Sequence, residues 1–160
     1  MKITELLLFN LRAKYGNLVA ASFYVGIKAT TLQNWANGYS KPHLGHLEII
    51  STSSKINGSS WIRTDFLNLS HKKEFTQSKP LHNYFVVNVN YLMANTGRRR
   101  RDFEREYNSN TKDGMSLNTF DGYRSGRVTN IPLHRLEELG RFFQCDPYKL
   151  IEVKNDEEKK

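Results

Sequence analysis

The 160-residue chain carries 24 Lys and Arg residues against 16 Asp and Glu residues, which gives a net charge of +8. This excess favours a polyanionic partner through electrostatic attraction, although it does not specify which polyanion. A single cysteine, Cys145, excludes an intramolecular disulfide framework. The apolar run at residues 6–9 is far too short for a signal peptide or a membrane span, so we expect a cytoplasmic protein with no membrane partner.

The chain opens with a predicted helix over residues 5–15, which Thr4 is placed to cap and Gly16 to end. Its apolar face consists of Leu7, Leu8, Leu11 and Tyr15. A fourth helix is predicted over residues 44–53, with Leu44, Leu47 and Ile50 on its apolar side, and a fifth begins at Trp61.

Between these helices, residues 20–38 predict two short helices joined by a tight turn. The first carries Val19, Ala20, Phe23 and Tyr24 at helical spacing. The turn contains Gly26, which adopts positive φ at little cost. In the second helix Leu32 and Trp35 point inward, and Gly38 ends it. Its outward positions are Thr30, Thr31, Gln33 and Asn34. Two short helices with a glycine in the turn are typical of a helix-turn-helix.

Residues 63–84 lack sustained periodicity and predict a linker. Alternatively, Phe66, Leu67 and Leu69 pack on the first domain. The charged residues 154–160 predict a frayed tail.

The second half of the chain predicts a weaker copy of the first. One helix begins near Phe85 and ends at Gly97, and another covers residues 99–107. Residues 115–120 then align with residues 27–32. Tyr123 then aligns with Trp35, and Gly126 with Gly38. After the alignment is shifted by one residue, Leu136 aligns with Leu47, Leu139 with Ile50, and residues 150–151 with residues 61–62. The turn at residues 108–114 is longer than its counterpart in the first half by several residues.

The frame V-G-I-x-x-x-T-L-x-x-W-x-N-G-x-S-x-P at residues 25–42 resembles the lambda-repressor/Cro-like helix-turn-helix family. The resemblance covers roughly residues 3–62, and more weakly residues 85–151. It implies an all-α protein with two small lambda-repressor-like helical domains, at residues 1–62 and 85–153, each containing a helix-turn-helix. In this family the second helix of the pair enters the major groove of double-stranded DNA.

By match to the family pattern, Ala29, Thr30 and Asn34 face the bases, with Gln33 beside them. Asn and Gln pair with adenine, and Thr or Ala methyl groups contact thymine, so the set leans toward A/T-containing sites. The family often has Gln where Ala29 stands, so one hydrogen-bonding contact is missing. Phosphate contacts are expected from Lys28, Tyr39, Ser40 and Lys41. The alternative is an ordinary polar helix surface.

In the second copy, Arg98, Arg99, Arg100 and Arg101 open a helix, where four cations oppose the helix dipole. DNA phosphate would offset their repulsion, and intrahelical pairs with Asp102, Glu104 and Glu106 are the alternative. The base-facing positions hold Leu117, Asn118 and Asp121, with Gly122 where the first copy has Asn34. This set is poor, because Asp121 would repel phosphate.

Other chemistry has little support in the sequence. His43 and His46 are expected to be a solvated pair rather than a metal site, and Cys145, aligned with Ile56, a small buried hydrophobe. No nucleophile motif or Gly-rich phosphate loop is present, so we expect neither an enzyme nor a cofactor. The sequence predicts a tandem, repressor-like transcriptional regulator. The alternative is that one domain binds DNA while the second, with its lengthened turn and poor base-facing set, mediates dimerisation or binds a protein. Phe142 and Phe143 would contribute to that interface only if exposed, and core packing is their expected fate.

Overall fold

The computed structural model describes residues 2–69, 83–107 and 114–155, and these residues are mostly helical. The first half contains α1 (Ile3–Tyr15), α2 (Leu18–Val25), α3 (Ala29–Ala36), α4 (Leu44–Ser54), a 3₁₀ helix (Gly58–Ile62) and α5 (Phe66–Leu69). The second half contains α6 (Val89–Thr96), α7 (Arg100–Tyr107), α8 (Leu117–Arg124), α9 (Leu133–Phe143) and a 3₁₀ helix (Pro147–Leu150). Two short strands, β1 (Asn83–Val86) and β2 (Glu152–Asn155), pair antiparallel. No helix among the described residues is long and apolar enough to cross a membrane.

Several helices begin at residues other than those predicted, because local hydrogen bonds and strand pairing set their ends. The first helix begins at Ile3 rather than at Glu5, because the backbone N–H of Lys2 donates to the Glu5 carboxylate at 3.1 Å and makes Lys2, not Thr4, the cap. The sixth begins at Val89 rather than near Phe85, where the chain is extended in β1.

Other boundaries in the later part of each half also differ from the prediction. Trp61 lies near the end of a 3₁₀ helix rather than at the start of an α-helix, since the Asn57 side chain caps that helix by accepting from Ser59 N–H. Strand β2 continues to Asn155, two residues into the predicted tail. The lengthened turn at 108–114, except Gly114, and most of the tail lie outside the described residues.

Helix α2 buries a different face from the one that its larger apolar residues suggested. Leu18, Ala21 and Val25 are buried, whereas Val19, Phe23 and Tyr24 are exposed, Phe23 by 83%. The Asn17 side chain caps the helix by accepting from Ala20 N–H at 2.7 Å. The small Ala21 is completely buried on the inner side of this helix, which leaves the larger Phe23 in solvent.

Aromatic side chains form the centre of each half. In the first half Trp61 stacks on Phe66, with ring centroids 4.2 Å apart. Phe66 is fully buried, so this residue of the predicted linker packs on the first half, whereas Leu67 is 38% exposed. In the second half Phe120 stacks on Phe103 at 4.3 Å and meets the edge of Phe142. Both groups belong to one continuous cluster of buried side chains.

The two halves repeat each other in backbone detail. Helices α3 and α8 both contain eight residues, and the glycines that follow them, Gly38 and Gly126, have φ of +77° and +76°. Helices α4 and α9 both contain eleven residues. Both end at a residue other than glycine in the left-handed region, Lys55 and Gln144.

The halves meet through equivalent backbone atoms. Leu44 N–H donates to the carbonyl of Ile131, and Leu133 N–H donates to the carbonyl of Pro42, both at 2.9 Å. Leu44 and Leu133 are equivalent in the repeat, as are Pro42 and Ile131, so the two bonds are exchanged as in a two-fold symmetric interface. We call this pair of bonds the reciprocal bridge. It is flanked by a bond from Gly45 N–H to the Asn130 side chain at 2.9 Å.

Candidate nucleic-acid interface

Helix α3 has one buried and one exposed side. Leu32 and Trp35 are buried, as the apolar spacing predicted. Thr30, Gln33 and Asn34 are exposed, Thr31 and Ala29 are half-buried, and Lys28 is exposed at the N-cap. The exposed side therefore offers hydroxyl and carboxamide groups, which can donate or accept hydrogen bonds.

The loop after α3 folds back over the end of this helix. The backbone N–H groups of Tyr39 and Ser40 both donate to the carbonyl of Asn34, at 2.9 and 3.4 Å. This brings Tyr39, which is 81% exposed, and the exposed Lys41 close to the C-terminal end of α3. The predicted phosphate-contacting residues that follow α3 are therefore gathered at one end of it.

Charge around α3 is one-sided. Residues 6–47 contain no Asp or Glu. Three acids lie beside the C-terminal end of α3, where Glu5 of α1 and Glu137 and Glu138 of α9 line a cavity together with Asn37 and Lys41. Each of these carboxylates accepts a backbone hydrogen bond, Glu5 from Lys2, Glu137 from Ile3 and Glu138 from Met115. The lack of acidic residues within α2, α3 and the turn between them favours an anion at the exposed side of α3.

His43 and His46 are not a solvated pair. Their rings lie 3.8 Å apart, and His46 Nδ1 accepts from the backbone N–H of His43 at 3.2 Å. The His46 ring also meets the Trp35 ring edge-on at 4.8 Å, so it supports the inner side of α3. Burial, together with the neighbouring His43, lowers the pKa of His46 to about 4. Across the described residues, no three His, Cys, Asp or Glu side chains are grouped as a metal site would require.

This lowered pKa predicts a loss of stability in acid. The folded state holds His46 neutral, so its contribution is complete above pH 6.5 and falls as the pH drops from 6.5 toward 4. In His46→Gln the side chain can still accept from His43 N–H as the third residue of a capping box but cannot titrate. Urea unfolding at pH 7 and pH 5 should therefore show a smaller acid-induced loss for His46→Gln than for the wild type. Equal losses would contradict this role of His46.

Helix α8 is held like α3 but exposes a different set of groups. Phe120 and Tyr123 are buried, Asn118 is exposed and Leu117 is half-buried. Asp121 is paired with Arg100 at 3.0 Å and with Arg124 at 3.5 Å. The hydrogen bond from Arg100 is the main cause of a lowered Asp121 pKa. The expectation that Asp121 would repel phosphate did not include these two guanidinium groups, which offset its charge.

The four consecutive arginines divide into two kinds. Arg98 precedes α7 rather than opening it, and its guanidinium group donates to the Phe142 carbonyl at 3.1 Å and to Glu106 at 2.5 Å. Arg100 is held by Asp121. Arg99 and Arg101 are exposed, and their guanidinium groups make no hydrogen bond or ion pair within the part of the chain that the structure describes. These two remain available to an external anion.

Sequence reasoning missed Arg127. Its Nη2 lies 3.3 Å from the position that a Cβ on Gly122 would occupy, so the guanidinium group covers the helix where the first copy carries the Asn34 side chain. The signal was present as the one-residue adjustment needed to align the two copies after Gly126. Cys145, by contrast, is only half-buried rather than buried like its equivalent Ile56, and its burial raises the pKa of the thiol.

The described surface thus presents two exposed helix faces of equivalent position, both bordered by cations. Comparison with protein-family models, curated proteins and solved structures found no match for this chain. The ligand has to be inferred from the chemistry of these two faces.

Proposed function

We propose that this protein binds double-stranded DNA sequence-specifically through two helix-turn-helix units and acts as a transcriptional regulator of the repressor type. The observation that carries the proposal is the exposed side of α3. There Thr30, Gln33 and Asn34 project beyond a helix that Leu32 and Trp35 anchor from beneath. A polar helix on a cation-bordered surface fits the major groove, which admits one α-helix.

Each group on that side has a matching partner on DNA. The carboxamides of Gln33 and Asn34 match the N6 and N7 atoms of adenine, and the methyl group of Thr30 matches that of thymine. Lys28 and Lys41 stand at the two ends of α3, where they suit phosphates on the two walls of the groove. The proposed first half-site is therefore rich in A·T pairs.

The reciprocal bridge supports one chain as the complete binding unit. It joins equivalent backbone groups of the two units, and from this we infer that α3 and α8 are related as the corresponding helices of a two-fold symmetric dimer. Proteins with such symmetry bind inverted half-sites, because the symmetry of the operator mirrors that of the protein. One chain would then occupy one inverted pair of half-sites.

The alternative role for the second unit, protein binding through Phe142 and Phe143, loses its proposed surface. Both side chains are buried, and Phe142 packs against Phe103 and Phe120. The exposed groups of that unit include the cations Arg99 and Arg101.

Binding of the whole chain to a pool of genomic DNA fragments, measured over a range of salt concentrations, tests the proposal. We expect a small set of fragments to be retained as salt rises, with one chain bound per site. Uniformly weak binding to all fragments, or none, would overturn it.

The free arginines provide a second test, in the dependence of affinity on salt. Replacing Arg99 and Arg101 by Gln should weaken binding to all duplexes alike and lower the slope of log K against log salt by about 1 for each phosphate that the variant no longer neutralises. A control of equal charge change is Arg141→Gln with Lys149→Gln, both exposed in the same half. Slopes that fall equally in the two double variants would mean that only net charge matters.

A further inference from the structure

The second unit lacks a side chain at the position where the first unit carries the exposed carboxamide of Asn34. Gly122 is the equivalent of Asn34. A Cβ added to Gly122 would lie 3.3 Å from Arg127 Nη2, 3.3 Å from Val128 Cγ2 and 3.8 Å from Arg127 Nε. Two side chains of the following loop therefore cover this position, and the guanidinium group of Arg127 supplies its polar part.

The loop is built to hold Arg127 there. In the first unit the N–H of Tyr39 donates to the carbonyl of Asn34, and in the second the N–H of Val128 donates to the carbonyl of Gly122 at 3.1 Å. Val128 is thus the equivalent of Tyr39, since its N–H makes the corresponding hydrogen bond to the helix. Arg127 is the additional residue between Gly126 and Val128.

Ser125 fixes the base of the extra residue. Its hydroxyl donates to the Gly122 carbonyl at 3.3 Å and accepts from Arg127 N–H at 3.4 Å. The backbone of Arg127 is therefore tied to the last turn of α8.

The donors of Arg127 are not used within the protein. In residues 2–69, 83–107 and 114–155, no carboxylate or carbonyl accepts from its guanidinium group. The nearest acid on α8, Asp121, is already paired with Arg100 and Arg124. Arg127 is exposed, so the guanidinium group is free to bind a ligand over α8.

We propose that Arg127 is the base-reading residue of the second unit and that it recognises guanine. This inference rests on the proposed function. A guanidinium group donates in parallel to O6 and N7 of guanine, which is the commonest specific contact in the major groove. The DNA target is then an inverted pair of unlike half-sites, one with A·T pairs under α3 and one with a guanine under α8.

Selection of bound sequences from a random duplex library, using the whole chain, tests the inference. The wild type should enrich guanine at one position of one half-site by about 5- to 150-fold over the other bases, the discrimination that one good paired contact provides. Arg127→Ala should abolish this preference. Arg127→Gln should move it toward adenine, which Gln recognises in the same groove.

The control is Arg124→Ala, which removes a neighbouring guanidinium group that is paired with Asp121. It should leave the guanine preference intact. The A·T preference of the other half-site should be the same in every variant, which shows that each variant is folded and bound.

The outcomes separate this inference from the proposed function. Enrichment by the wild type with the guanine preference unchanged in Arg127→Ala would overturn the role of Arg127 alone. A loss of affinity for all sequences alike in Arg127→Ala would make it a phosphate contact and would also overturn the inference. No enrichment by the wild type would overturn both proposals.

Discussion

Phe120→Ala is expected to lower the free energy of unfolding of the whole chain by about 3–5 kcal/mol. The Phe120 ring is completely buried, stacks on Phe103 at 4.3 Å and meets the edge of Phe142 with centroids 5.8 Å apart. Truncation removes a whole ring and leaves a cavity between two aromatic neighbours that can close only in part. Because Phe120 also holds the inner side of α8 in the core, its truncation should also make the position of that helix less well defined.

Tryptophan fluorescence makes this prediction informative about both halves. The two tryptophans, Trp35 and Trp61, lie in the first half, whereas Phe120 lies in the second. We expect urea unfolding followed by fluorescence and by circular dichroism to shift together, because the reciprocal bridge and one continuous core join the halves. A fluorescence midpoint that stays at its wild-type value would mean that the halves unfold separately.

Two variants serve as controls for Phe120→Ala. Leu32→Ala deletes the equivalent anchor in the first half and should cost about 2–5 kcal/mol. Phe23→Ala removes the same ring from an exposed position and should change stability by less than about 0.5 kcal/mol, since Phe23 is 83% exposed.

Asn34→Ala and Thr30→Ala should each weaken specific DNA binding by about 1–3 kcal/mol if these residues contact bases. Both side chains are exposed, and neither belongs to the buried core, so stability should change little. Asn34→Ala should also relax the choice of base at one position, whereas removal of a phosphate contact would weaken all sequences alike. Dissociation constants at a fixed salt concentration, on a duplex obtained by selection and on single-base variants of it, measure both effects.

Thr52→Ala provides the matched control for this pair. It removes an exposed threonine hydroxyl from α4, where that hydroxyl donates to the carbonyl of Glu48 at 2.9 Å. We expect its affinity to equal that of the wild type. If Thr30→Ala and Asn34→Ala bind as tightly as Thr52→Ala, α3 does not read DNA.

Much of the helical framework could be predicted where one side of a helix is apolar and the other is polar. The inward positions of α3, Leu32 and Trp35, follow from such spacing, and so do those of α4. Helix α2 is apolar on nearly every side, so spacing alone could not decide that Ala21 rather than Phe23 is buried. The choice is made by the neighbouring helices.

Contacts between residues that lie far apart in the chain could not be predicted from the sequence. Strands β1 and β2 pair Phe85 with Val153, and two segments of four residues give no periodic signal of such a pairing. At the candidate site, the outward residues of α3 could be proposed from the sequence pattern at residues 25–42. The sequence could not show which of the four consecutive arginines are paired within the protein. The partners of Arg98 and Arg100 are the carbonyl of Phe142 and the carboxylate of Asp121, which only folding brings near.

The reciprocal bridge between Pro42 and Leu133 and between Leu44 and Ile131 has a consequence for gene dosage. A regulator that must find a second copy of itself loses its active form on dilution, so its target responds steeply to expression level. Under the proposed function, both DNA-binding units lie on the same polypeptide, so their local concentration does not depend on the expression level. We then expect operator occupancy to follow copy number hyperbolically, with no assembly threshold.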